Sequence, residues 1–220
     1  MRAPENHRRA NLLMSRIALG LLVFTIIAFG MKAYFHPEVR VRYIPIVILH
    51  AGVMLTWLAL LVIQPLLIVT KRVKWHRTLG AISLGLVGAM VASGAIIAVN
   101  IGRELGRPEV TVVNIAAFVT FLPLYFLAVN YARSKRVHEH RQAMLIATLA
   151  LMTPAYARVV QVMELPDPVA IGVQVPITVV IACAYDWVVK GHITREVMWM
   201  LAFSVAVIFV MVAVLAIWFL

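Results

Sequence analysis

Seven long apolar runs, each bounded by a short block of charge, leave this chain few choices of fold. They cover about Asn11–Met31, Ile44–Thr70, Thr78–Ile101, Thr111–Tyr131, Arg141–Met163, Pro168–Val189 and Val197–Leu220. At a rise of about 1.5 Å per residue, some 20 apolar residues match the roughly 30 Å hydrocarbon core of a bilayer. In that medium backbone N–H and C=O groups must pair within the chain, and runs of this length do so as helices. The expected fold is therefore all-α: a polytopic membrane helix bundle of seven transmembrane helices, forming a single transmembrane domain over residues 1–220. Short connections make successive helices antiparallel neighbours.

Charge sets the partners and the orientation. The net charge of +11 resides in caps on the spans and not in a basic soluble domain. The expected partner is thus a bilayer with anionic headgroups at the basic loops, and not nucleic acid. Fourteen of the twenty Lys and Arg residues fall at the N-terminus and in the loops after spans two, four and six. The positive-inside rule then puts the N-terminus in the cytoplasm and the C-terminus outside. The first span, with Arg2, Arg8, Arg9 and Arg16 before or within it and Lys32 directly after, reads as a retained anchor and not a cleaved signal. The one cysteine, Cys183, lies in an apolar run and reads as a packing residue.

Residues 71–77 read KRVKWHR and residues 135–141 read KRVHEHR, five matches in seven at an offset of 64. Extending that offset overlays spans two and three on spans four and five, with repeat units 44–101 and 111–163. His50 then falls on Asn114, and Trp57 on Phe121. Both hairpins run in the same sense, so a duplication would be parallel, with its pseudo-axis along the membrane normal. Convergence of basic interfacial loops is the competing account.

Polar residues inside the spans are the candidate functional groups. His50, Trp57, Gln64 and Lys71 recur every seven residues along one face of span two, a face expected to turn inward. Ala81, Gly85, Ala89 and Ser93 form a small-residue stripe on span three, suited to close helix approach. Pro123 and Pro154 interrupt spans four and five, and Thr153 is placed to bond a carbonyl that Pro154 frees. Arg158 is expected to snorkel or to pair with Glu164. Asp186 reads either as an i, i+4 partner of Lys190 or as the acceptor for His76 or His140. The seventh span, with Ser204 as its one polar residue, is expected at the lipid-facing periphery.

His76, Arg77, His140, Arg141, Asp186 and Gln64 gather toward the cytoplasmic end in this reading, with His138 and His192 in loops. Imidazoles there suit haem iron, and the arginines suit haem propionates or phosphate. His76, His140 and Asp186 equally suit a non-haem metal. His50, Gln64 and Trp57 complete the cofactor-binding candidates. No spacing signature for a haem-attachment, zinc or nucleotide motif is present.

The pattern His50…Trp57…Gln64…His76-Arg77-x-x-Gly80, then His140-Arg141-x-x-Met144, then Tyr185-Asp186, resembles a group of uncharacterised bacterial multi-helix inner-membrane proteins. That resemblance covers roughly residues 44 to 195. It implies a multi-pass protein of the bacterial inner membrane and brings no activity with it. A more distant similarity to b-type cytochromes and ferric reductases implies haem b and electron transfer. Those proteins place paired histidines well inside facing helices, whereas here the pseudo-equivalent of His50 is Asn114. One haem, held by His76 and His140, is what this comparison implies. A small-solute or proton transporter, and a structural subunit of a membrane complex or homo-oligomer, are the other two functions considered.

Overall fold

The computed structural model describes residues 3–104 and 106–219, so Arg2 and Leu220 lie outside it. The described chain is helical and contains no strand. The helices are α1 (Ala3–Phe35), α2 (Pro45–Val69), α3 (Val73–Glu104), α4 (Pro108–Arg133), α5 (Val137–Ala150), α6 (Thr153–Val162), α7 (Pro168–Lys190) and α8 (Arg195–Phe219), with a 3-10 helix at Pro37–Arg42. Seven helical segments are long and apolar enough to cross a membrane, α5 and α6 together forming one of them. The all-α polytopic architecture read from the apolar runs is thus the one observed. Proline at the first turn opens α2, α4 and α7, where its missing N–H costs nothing.

The chain divides into two compact units, residues 1–94 and 95–220, and the division falls inside α3. In the first unit α1 packs along α2. The buried face of α1 carries Ala10, Met14, Ala18 and Leu21, spaced as one helical stripe, and Ser15 donates to the Val62 carbonyl at 2.9 Å. The expected small-residue stripe of span three is mostly exposed at Ala81, Gly85 and Ala89. The buried face of α3 is instead Ser83, Val87, Met90 and Ser93.

The second unit is built around α5. Leu145, Ile146, Ala147 and Leu149 are fully buried, and α4, α7 and α8 pack on this helix. The fifth span breaks at Leu151–Met152, before Pro154. Gln174 of α7 answers the break by donating to the Leu149 carbonyl at 2.9 Å, the role expected of Thr153. Pro65 and Pro176 also lie inside helices, in α2 and α7. The seventh span is exposed over most of its surface, as expected of a peripheral helix, but one face is covered. Val197, Met200, Leu201, Ser204 and Met211 are buried, while Phe209, Val210 and Trp218 face outward.

The two KRV runs fold alike. Lys71 and Lys135 each take a left-handed backbone, with φ of 61° and 60°. Arg72 N–H bonds the Leu67 carbonyl at 2.7 Å, and Arg136 N–H bonds the Tyr131 carbonyl at 2.9 Å. This is the six-to-one bond of a Schellman helix end. The same bond recurs from Arg107 to Gly102 at Gly106, and from Leu165 to Val160 at Glu164, in unrelated sequence. The shared turn is therefore a general way to join antiparallel helices in few residues, and is not particular to a duplicated hairpin. It also makes the loops shorter than the sequence suggested. His76, Arg77, His138, His140 and Arg141 all lie within helices, His138 included.

Candidate functional site

Within the first unit the expected polar residues settle into two separate places. His50 meets the Ser93 hydroxyl at 2.8 Å, through Nδ1. With its carboxamide nitrogen toward the imidazole, Gln64 donates to His76 Nδ1 at 2.5 Å and accepts from the Gly80 N–H at 3.1 Å. Between them along α2, Trp57, Leu58 and Leu61 are buried. Fourteen residues separate His50 from Gln64, about 21 Å of helix. The stripe thus makes two polar contacts to α3 with apolar packing between. Arg77 is exposed.

The second unit holds a denser cluster. His138, Arg141 and Gln142 lie in the first turns of α5, and Tyr185 and Asp186 near the end of α7; all five are buried. Asp186 has no exposed surface. Its Oδ1 lies 2.5 Å from His138 Nε2, and its Oδ2 accepts from the Thr194 N–H at 2.5 Å. One carboxylate therefore joins the start of α5, the end of α7 and the approach to α8. The Gln142 side chain also reaches Asp186, and Gln142 donates weakly to the Ala182 carbonyl at 3.3 Å. Tyr185 stacks on the His138 ring, with centroids 6.2 Å apart, and its hydroxyl bonds Arg141. His138 Nδ1 and Gln142 Oε1 are buried without a hydrogen-bond partner among the described residues. Such atoms are few in folded proteins and each calls for an explanation.

His140 turns the other way. Residues two apart on a helix point about 200° from one another at 3.6 residues per turn. His138 accordingly faces α7, while His140 Nδ1 donates to the Ala128 carbonyl of α4 at 2.9 Å. Asp186 thus pairs with His138, and not with His140 or Lys190. Among the described residues no group of three or more His, Cys, Asp or Glu is arranged to hold a metal ion. The sequence reading passed over His138 because it placed that residue in a loop. The signal was available: 138, 141, 142, 145 and 149 fall on one helical face.

Arg136, just ahead of this cluster, pairs with Glu196 at 2.6 Å and Glu139 at 3.1 Å, and lies 4.6 Å over the Tyr131 ring. At the opposite end of the unit, Arg107 bonds both Asp167 and Glu109 at 2.7 Å. Gln161 donates to Asp167 at 3.1 Å, and Arg158 donates to Gln161 at 3.2 Å. Burial works to raise the Asp167 carboxyl, but its bonds from Arg107 and Gln161 outweigh that and hold it below the ordinary value of 3.8. The same bond to Asp167, followed by that to Glu109, raises the Arg107 guanidinium.

A partly open cavity of about 50 Å³ lies in the second unit, walled by α4, α5, α6, α7 and α8. Most of its wall is apolar, but Thr120, Thr153, Gln174, Thr178 and Ser204 contribute polar groups.

Family models, curated proteins and solved structures give no match to this chain. A functional reading therefore rests on the chemistry of the sites themselves.

Proposed function

We propose that this multi-pass protein moves protons across its membrane, alone or with a small solute, and that the His138–Asp186 pair binds and releases the proton. The observation that carries this is a fully buried carboxylate bonded to an imidazole where the ends of two membrane-spanning segments meet. Buried ionisable groups that pair with one another in such helices are typical of proton relays. The pair holds one proton more or less without moving a heavy atom: an imidazolium beside a carboxylate, or a neutral imidazole beside it. The charged and titratable neighbours are Arg141 and Lys190, with the Tyr185 ring stacked on His138. By the positive-inside rule, the excess of Lys and Arg in the loops supports a cytoplasmic position for the pair.

The test is proton uptake by vesicles containing the purified protein, a pH-sensitive dye and an imposed potassium diffusion potential. Uptake above that of empty vesicles is expected, and its loss in folded Asp186→Asn. No uptake by the wild type, or full uptake by Asp186→Asn, would overturn the proposal. In the latter case the pair is a structural staple between α5, α7 and α8.

A further inference from the structure

We infer that the cavity of the second unit is a hydrated vestibule, through which water carries protons to within one helical turn of Gln142, whose side chain reaches Asp186. This rests on the proton-moving reading of the His138–Asp186 pair and names its route. Size comes first. By the measure of about 10–15 Å³ per water, a cavity of this volume holds about three to five waters. That is too little for an organic ligand, since such pockets run to roughly 300 Å³ and more.

Polarity is the second argument. A water persists in a protein interior when two to four polar groups are within its reach, whereas purely apolar cavities stay dry. Thr120, Thr153, Gln174, Thr178 and Ser204 come from four of the helices around the cavity, and the Thr120 and Ser204 hydroxyls, which donate to the Ala116 and Met200 carbonyls, offer a water their lone pairs. Gln174 spends one amide N–H on Leu149. A carboxamide has a second N–H and an acceptor oxygen besides. The wall also includes Ala150, whose carbonyl Pro154 cannot reach with an N–H.

Position is the third. Ile146, Val179 and Leu201 form the near end of the wall. Gln142 lies four residues before Ile146, and Ala182, whose carbonyl it bonds, lies three after Val179. Val197, four residues before Leu201, is buried. Along α5 the cavity therefore ends about one turn, some 5.4 Å, from Gln142, and along α7 about two turns from Asp186. Gln142 Oε1, buried without a partner among the described residues, faces this gap from the cluster's side.

The experiment probes hydration directly. Cys183 is first replaced by Ser, and single cysteines are then introduced as Ser204→Cys, Thr178→Cys and, on the outward face of α8, Phe209→Cys. Silver ion, close to water in size, is applied to the reconstituted protein. Protection from maleimide labelling after later unfolding in dodecyl sulfate, against a control without silver, reads its reaction with the thiol. Loss of labelling is expected at Ser204→Cys and Thr178→Cys, with labelling retained at Phe209→Cys. Full labelling at both wall positions would overturn the vestibule, leaving a dry or acyl-filled cavity. Two positions guard against one variant misfolding. Reactive wall cysteines without proton uptake would refute the function and leave the vestibule standing. Unreactive wall cysteines with Asp186-dependent uptake would refute the vestibule alone.

Discussion

His140 meets Ala128, twelve residues back, just as His76 meets Gln64, twelve residues back, and both imidazoles use Nδ1. The histidine kept in both KRV runs thus ties the first turns of a helix to the last turns of the one before. The partners differ, and so do the tautomers. Gln64 donates, so His76 Nδ1 accepts. The Ala128 carbonyl accepts, so His140 Nδ1 donates.

The contrast gives the first prediction. His76→Ala and His140→Ala should each lower stability in detergent by about 1 kcal/mol, the usual worth of an interhelical hydrogen bond. The amide of Asn places a donor or an acceptor where Nδ1 stood, and that of Gln reaches toward Nε2. His140→Asn should therefore recover part of the loss and His140→Gln should not. Gln64→Ala and His76→Ala should be less than additive in a double-mutant cycle. Additive losses at Gln64 and His76 would refute the staple there.

Much of this architecture was legible in the sequence because apolar runs above 20 residues have few alternatives in a bilayer. The site was harder to read. His138 was misplaced because the turn ahead of it takes so few residues, a length set by the left-handed Lys135 and not by composition. Asp186 was identified as important, but its partner depends on which face of α5 meets α7. Only packing decides between His138 and His140 for that role. The burial of one face of α8 was missed for the same reason, since a helix of nearly uniform hydropathy does not announce which side is covered.

Lys71 and Lys135 lead to the second prediction. Each occupies a left-handed conformation that costs a side-chain-bearing residue about 1 kcal/mol relative to Gly. Gly106 takes the same turn without that cost. Lys71→Gly and Lys135→Gly should raise the thermal midpoint, and Gly106→Ala should lower it. The lysines would then be kept for their charge. A drop in midpoint in both glycine variants would contradict the assigned backbone.

The Arg107–Asp167 pair makes stability depend on pH at the acidic edge. Asp167 has a lower pKa folded than its unfolded value near 3.8. Its contribution is therefore complete above that value and lost as pH falls through the folded one. Both side chains are partly exposed, so the worth is that of a surface pair, about 0.2–1 kcal/mol. Asp167→Asn should be less stable than wild type at neutral pH and should converge on it as pH falls progressively below 3.8. A difference that stays unchanged across that acid range would mean that the substitution acts through packing and not through charge.

Gly102 shows how tightly the turn between α3 and α4 is built. Thr111 donates to the Ala98 carbonyl at 2.9 Å, and a Cβ placed on Gly102 would stand 2.6 Å from the Thr111 hydroxyl and 3.4 Å from the Arg107 carbonyl. The hydroxyl is one bond from a branched Cβ, so it cannot swing clear without giving up its bond. Gly102→Ala should cost about 1–3 kcal/mol, the range of overpacking in a filled site. Thr111→Ala alone should cost less, because it removes one hydrogen bond and opens space. In Gly102→Ala/Thr111→Ala that space accepts the new methyl group. The double variant should therefore be more stable than Gly102→Ala alone, by chemical or thermal unfolding in detergent. A double variant as unstable as the sum of its parts would place the strain at the Arg107 carbonyl, which no side-chain change relieves.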